Sequence, residues 1–301
     1  MFVKHYAVHP ALTEFVSRIL LIHYKLDTTK AKPVNPFPPQ PEHCLYFYPY
    51  DKVNCHNSAD QSTKALPQSI IVGPQLSLVN LSMGYNTLVI YVGFLPGGLH
   101  RLLRVPMVEL CDRSFDSTLF LSKEINEVTD QINEQDNYDK VIRIVETFLL
   151  RKSVNLKPIL PIDRVLRKMT NAPTLTNINI MASEACVSVR QLERQFKERI
   201  GMAPKVFTKL VRFSRAWNLH EANPQISWNQ MAHHFKYADH MHLIREFKQF
   251  TGTLPSQLKH NLEKSPLRLQ ADLNLYGMTT NIKYPPLINI TTQSIRRIQD
   301  I

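Results

Sequence analysis

Leu192-Glu193-Arg194-Gln195-Phe196-Lys197, followed by Gly201 and Pro204, is the stretch on which the reading of this chain turns. Fifty-one residues later, Leu243-Ile244-Arg245-Glu246-Phe247-Lys248 is followed by Gly252 and Pro255. Over thirteen aligned positions six are identical: Leu, Arg, Phe, Lys, Gly and Pro. The offset holds upstream, where Ser188 aligns with Asp239, both good helix N-caps. Ser188 and Gln191 have the spacing of a capping box. Two of only eight glycines in the chain fall on the matched position, where a helix C-terminus needs a left-handed residue. A duplicated unit accounts for this pattern and chance does not.

Each copy resolves into two helices and a tight turn. The first runs as a short helix from Ile178 to Ala185, a turn at Cys186-Val187, and a Ser188-capped helix to Ile200. Leu192, Phe196 and Ile200 recur at i, i+4 and i+8 and form its buried stripe. Arg190, Gln191, Glu193, Arg194 and Lys197 make the opposite, polar face. The second copy has a short helix from Ile226 to Phe235, a turn at Lys236-Tyr237-Ala238, and an Asp239-capped helix to about Phe250. Leu243 and Phe247 face inward, leaving His240, His242, Arg245 and Lys248 outward. Short helix, turn and capped basic helix make a helix-turn-helix, whose second helix can enter the major groove. Pro204 opens a connecting helix with Val206, Leu210, Phe213 and Trp217 at helical spacing up to about Ala222. At 1.5 Å per residue it spans roughly 28 Å, a rigid spacer between two reading helices set about one duplex turn, roughly 34 Å, apart.

Charge agrees with this placement. The 301 residues carry a net charge of +11, but residues 1–150 contribute −2 and residues 151–301 contribute +13. Such asymmetry directs the second half toward a polyanion. At 44% apolar residues the chain is not a solvated tail. No apolar run is long enough to span a bilayer, and no signal peptide follows Met1-Phe2-Val3-Lys4-His5, so a cytoplasmic protein is expected. Four cysteines without a CxxC pair exclude a disulfide scaffold.

The first half reads as β-rich. Leu45–Tyr48, Ile70–Val72, Leu76–Val79 and Thr87–Val92 fit strands, punctuated by Pro49, Gly73-Pro74, Gly84-Tyr85-Asn86 and Pro96-Gly97-Gly98. Five prolines between Pro33 and Pro41 predict an extended loop. The spacing suits a small barrel or sandwich, and amphipathic helices follow from Phe120 to Ile132 and from Tyr138 to Leu150. His43-Cys44 and Cys55-His56 match no common zinc spacing, and neighbours on a strand point to opposite faces.

Residues 161–261 resemble the DNA-binding domain of the AraC/XylS family of bacterial transcription regulators. Val187 to Gly201 is similar to that family's first recognition helix, and Tyr237 to Phe247 to its second, in a subfamily that favours a Tyr-Asp-x-x-His version. In that subfamily an uncharacterised β-rich domain precedes the DNA-binding unit, and Val72-Gly73-Pro74-Gln75 and Gly93 to Gly98 are similar to it. The family usually places Gly in each inter-helix turn, four residues after an Ala; here Ala182 leads to Cys186 and Ala232 to Lys236. Left-handed backbone at those two residues would be strained.

The expected architecture is therefore α+β: a β-rich sensor or dimerisation domain over 1–155, an all-α double helix-turn-helix domain over 156–263, and a tail over 264–301. By the resemblance, Arg190, Gln191, Glu193 and Arg194 on the first recognition helix, and His240, His242 and Arg245 on the second, contact base edges. Arg can bond guanine bidentately and Glu can accept from cytosine. Ser188, Lys197, Arg215, Asn229 and Lys248 are the expected phosphate contacts, which position without reading. Against this, Glu193 could simply pair with Lys197 at i+4. Met241 and Ile244 on the second helix read less than polar residues would, so the first helix should carry more sequence information. His233, His234, His240 and His242 suit a DNA or solvent face better than a metal cluster. The expected function is sequence-specific DNA binding in transcription regulation, with no catalytic residue, cofactor or metal. Double-stranded DNA is the main partner, RNA polymerase and a small-molecule effector are candidate partners, and the protein is a monomer or homodimer. The alternative is a DNA-repair or other enzyme with an appended DNA-binding domain; the cysteine spacing supports neither the zinc site nor the nucleophile motif of an alkyltransferase.

Overall fold

The computed structural model describes residues 1–29, 32, 34–58, 60–171 and 177–263. The tail assigned to 264–301 lies outside the described residues, as does Pro33. The N-terminal strands are β1 (Phe2–Tyr6), β2 (Val16–Lys25), β3 (Val34–Phe37), β4 (Cys44–Phe47) and β5 (Asn54–Asn57). They continue with β6 (Thr63–Ala65), β7 (Ser69–Val72), β8 (Val79–Ser82), β9 (Asn86–Phe94) and β10 (Ser114–Asp116). Two antiparallel sheets result, one ordered β1-β2-β9-β4-β7-β10 and the other β3-β8-β5-β6. The long β2–β9 ladder, running from Val16 opposite Phe94 to Lys25 opposite Asn86, is the spine of the larger sheet.

Period-two alternation explains why these strands look continuously apolar. On β2, Leu20, Ile22 and Tyr24 pack toward the smaller sheet with Tyr46, Val89 and Tyr91. Ile19 and Leu21 turn the other way, with Leu45, Phe47, Ile90 and Val92. That second face is covered by α1 (Gly98–Leu103), α2 (Thr118–Leu121), α3 (Glu124–Asn133) and α4 (Tyr138–Ser153), through Ile125, Val128, Val141, Val145 and Phe148. Burial on both faces removes the polar half of the pattern.

Four local expectations change. The strand read at Leu76–Val79 begins only at Val79 and runs to Ser82, because Asp112 accepts hydrogen bonds from the Leu76 and Ser77 N–H groups (2.8 and 3.0 Å) and holds that segment as a loop. The single helix from Phe120 to Ile132 is broken at Ser122, whose φ of 64° separates α2 from α3. The proline-rich loop contains β3, with Pro36 opposite Asn80; β3 is an edge strand, where a residue lacking an N–H is tolerated. The strands β1, β2, β5, β6 and β10 are additional to those that the sequence pattern predicts.

The C-terminal region is helical: α5 (Pro161–Asn171), α6 (Ile178–Glu184), α7 (Val189–Ile200), α8 (Pro204–Ala222), α9 (Trp228–His234), α10 (His240–Thr251) and α11 (Pro255–Glu263). Leu192, Phe196, Phe207, Leu210, Phe213, Trp217, Leu243 and Phe247 share one core. Val206, expected on the inward stripe of α8, is instead 37% exposed, because the apolar face of that helix runs through Phe207, Leu210 and Val211. Leu78 of the N-terminal region joins this core, and Leu76 and Cys111 pack against it. A β-rich region followed by a helical one, as the patterning predicts, is thus held together by direct contacts.

Candidate nucleic-acid interface

The first motif is built by local capping. Asn177 caps α6 by accepting from the Asn179 N–H at 2.9 Å. The chain then reverses through Cys186 at φ 55°, and the Val187 N–H donates to the Ala182 carbonyl at 3.0 Å. Ser188 starts α7 with the reciprocal box its spacing implies: Ser188 Oγ accepts from the Gln191 N–H at 3.3 Å, and Gln191 Oε1 accepts from the Ser188 N–H at 3.0 Å. Gly201 ends the helix at φ 95°, its N–H on the Lys197 carbonyl. Ser188, Arg190, Gln191, Glu193, Arg194 and Lys197 are all exposed. Among the described residues no ion pair joins Glu193 to Lys197, so both side chains face outward unengaged with each other. Gln191 and Ser188 carry the cap as well as lying on the exposed face.

The second motif repeats this with changes. Ser227, not Ile226, begins the first helix, and a second capping box with Gln230 trims α9 to Trp228–His234. Lys236 takes φ 57°, so both non-glycine turn residues are left-handed, as the missing glycines imply. Asp239 caps α10 by accepting from the His242 N–H at 2.6 Å, and Gly252 closes it at φ 71°. The first helices of the two motifs align at an offset of 50, Asn177 with Ser227 and Cys186 with Lys236; the second helices align at 51. The second turn is thus one residue longer, with Ala238 as the addition.

His240, Arg245 and Lys248 are exposed on α10, as is Asn229 on α9, whereas Arg215 on α8 is half-buried. His242 is half-buried and partly spoken for: its Nδ1 accepts from the Ala238 N–H at 3.4 Å and its ring stands edge-on to Tyr237 at 5.3 Å. Met241 is exposed, while Ile244 is partly buried against the core.

Contacts between distant segments, which the repeat pattern does not mark, aim the two helices. Arg199 of α7 forms a buried ion pair with Asp163 of α5 at 2.7 Å. The end of α7 also abuts the N-terminal region: a Cβ on Gly201 would lie 2.5 Å from the Met107 carbonyl oxygen. His100 on α1 approaches Glu198, with Nε2 3.7 Å from its carboxylate. On the other side, Arg212 of α8 grips Glu246 of α10 through both Nε, at 3.1 Å, and an NH2 nitrogen. Tyr237 donates its hydroxyl to Glu246 Oε1 at 2.7 Å, and the Arg212 guanidinium lies 4.2 Å from the Tyr237 ring centre. Burial and the neighbouring Glu246 carboxylate push the Tyr237 phenol up, so it remains the donor. A usable signal was present: Glu246 sits three residues after Leu243 and beside Phe247, an acid on the inward stripe.

Two capped helices with outward Arg and Lys, tied by the roughly 28 Å helix α8, place two exposed basic faces on one chain. Residues 181–261 match the family described as a helix-turn-helix domain. No curated protein matches the chain. Among solved structures it is similar to apo ToxT from Vibrio cholerae strain SCE256, at 12% identity and TM-score 0.43, over 81% of this chain and 97% of that one. It is similar to unsaturated fatty acid bound wild-type ToxT of the same strain at 12% identity and TM-score 0.42, over 79% and 94%. The AraC-like transcriptional activator CuxR is similar at 13% identity and TM-score 0.26, over 73% and 86%.

Proposed function

We propose that this chain is a sequence-specific DNA-binding transcriptional regulator resembling the AraC/XylS family, in which α7 and α10 enter two successive major-groove segments of one asymmetric site. The carrying observation is that repeat-equivalent arginines, Arg194 and Arg245, stand exposed on two separately capped helices of a single chain. Arg190, Gln191, Glu193 and Arg194 read one half-site, and His240, His242 and Arg245 the other. Ser188, Lys197, Arg215, Asn229 and Lys248 hold the backbone, giving the steep salt dependence of phosphate neutralisation. Because the two faces differ in sequence, the site is not a palindrome. With Nδ1 accepting from the Ala238 N–H, His242 reads through its other ring nitrogen, Nε2.

Nothing in the matched span favours the enzyme alternative. Among the described residues no three His, Cys, Asp or Glu side chains are grouped to hold a metal, and no helix is long and apolar enough to cross a membrane. The N-terminal sandwich is assigned the regulatory role, since its Met107 segment and His100 touch α7 directly. In-vitro selection on random duplex DNA tests the reading. Enrichment of a bipartite, non-palindromic motif with half-sites about ten base pairs apart supports it, and no enrichment refutes it. A shift in melting temperature across a metabolite panel tests the regulatory assignment.

A further inference from the structure

We propose that Tyr237, Glu246 and Arg212 form a positioning clamp that fixes the rotational setting of α10 and so determines sequence discrimination at the second half-site alone. The inference rests on the double-motif reading above and deepens it.

Three elements meet at one carboxylate: the turn of the second motif through Tyr237, the recognition helix through Glu246, and the connecting helix through Arg212. Glu246 is almost wholly buried, with 2% of its side chain exposed. The apolar contacts of α10, such as Phe247 against Phe213 and Trp217, resist separation but hardly resist rolling, because dispersion and burial have no direction. A guanidinium fork closing on a carboxylate is directional, and the Tyr237 hydroxyl adds a third fixed bond to the same group. Neighbouring residues on a helix differ by about 100°, so a modest roll would carry Arg245 and His240 away from the groove without unfolding anything.

The first motif is aimed differently. The residue aligned with Glu246 is Gln195 and the residue equivalent to Tyr237 is Val187, so no such clamp is possible there. Its helix is held by Arg199 on Asp163 and by the Gly201 approach to Met107. The extra residue Ala238 lies between Tyr237 and the Asp239 cap, so it falls on the segment that links clamp to helix.

The test uses the full chain and three duplexes: the selected site, that site with its first half scrambled, and that site with its second half scrambled. Two affinity ratios then report discrimination at each half. The variants are Tyr237→Phe and the triple change Arg212→Met, Glu246→Leu, Tyr237→Phe, which replaces the clamp by apolar side chains. Such replacement generally preserves stability. The expected result is a fall of at least about fivefold in the second-half ratio of the triple variant, equal to the discrimination of one base pair, with the first-half ratio unchanged. Tyr237→Phe moves the same ratio in the same direction by less, and carries the test alone if the triple variant does not fold. Equal losses at both halves, or unchanged ratios in a folded triple variant, overturn the clamp. Wild-type ratios of one at both halves instead refute the DNA-reading proposal, so the two failures are told apart.

Discussion

Gly201 and Gly252 occupy equivalent positions in the two motifs, yet their replacement by Ala should have unequal consequences. Both carry positive φ, 95° and 71°, and so both changes incur left-handed strain of about 1–2 kcal/mol. At Gly252 that is the whole effect, because nothing lies within 4 Å of the added methyl. At Gly201 the methyl would stand 2.5 Å from the Met107 carbonyl oxygen and 3.3 Å from Cys111 Cβ, the first well inside the 3.4 Å at which ordinary contact begins. A backbone carbonyl cannot swing aside as a side chain can, so an overpacking cost of about 1–3 kcal/mol is added. Gly201→Ala should therefore cost about 2–5 kcal/mol against about 1–2 for Gly252→Ala. Urea denaturation of the full chain at 25 °C, followed by fluorescence of Trp217 and Trp228, measures the difference. If Gly201→Ala proves no more damaging than Gly252→Ala, the N-terminal region does not press on α7 as described.

On DNA, Arg194→Ala should cost about 1–3 kcal/mol and relax the preference at one base position, whereas Lys248→Ala should weaken all sequences alike and flatten the salt dependence by about one unit of slope. Selection repeated with each variant separates these outcomes; uniform weakening by Arg194→Ala would show that it does not read bases. Asp163→Asn leaves the Arg199 guanidinium buried without its counter-charge and should destabilise by about 3–5 kcal/mol, measured by the same denaturation. Burial, aided by Lys259, lowers the His220 imidazole to about 4. The unfolded chain therefore takes up this proton first, so stability is complete above about pH 6.5 and declines as pH falls from there toward 4. His220→Phe should remove part of that decline, and an unchanged pH profile would dismiss His220 as its source.

Legibility followed the range of the interactions. The caps at Ser188 and Asp239, the left-handed ends at Gly201 and Gly252, and the strain at Cys186 and Lys236 are each decided within a few residues, and the sequence reading matched the structure at all six. Gln191 and His242 were legible as polar members of an exposed face but not as residues tied into the caps and turns beneath it. The sandwich is readable as β-rich from the apolar β-branched and aromatic runs of β4, β7 and β9, each bounded by Pro or Gly, whereas β2 is covered on both faces like them but has no such turn residues at its ends. The dock between Met107 and Gly201, and the pair of Asp163 with Arg199, join distant segments and leave no periodic trace. Glu246 is the instructive residue: the repeat carries no sign of its role, yet its spacing from Leu243 places it inward, where Arg212 receives its carboxylate.

The longer second turn and the unmatched Glu246 also limit how the repeat can be engineered. Two near-copies invite whole-helix grafts, in which residues 240–251 would replace 189–200 to give a regulator with a new operator. Such a chimera would set the Glu246 carboxylate at the position of Gln195, away from its Arg212 partner, and would put Phe in place of Arg199, taking from Asp163 its ion-pair partner. Only the exposed positions are portable. Transplants confined to the equivalents of Arg190, Glu193, Arg194 and Lys197 should retain the scaffold, making this protein a pair of sockets that accept new faces but not new helices.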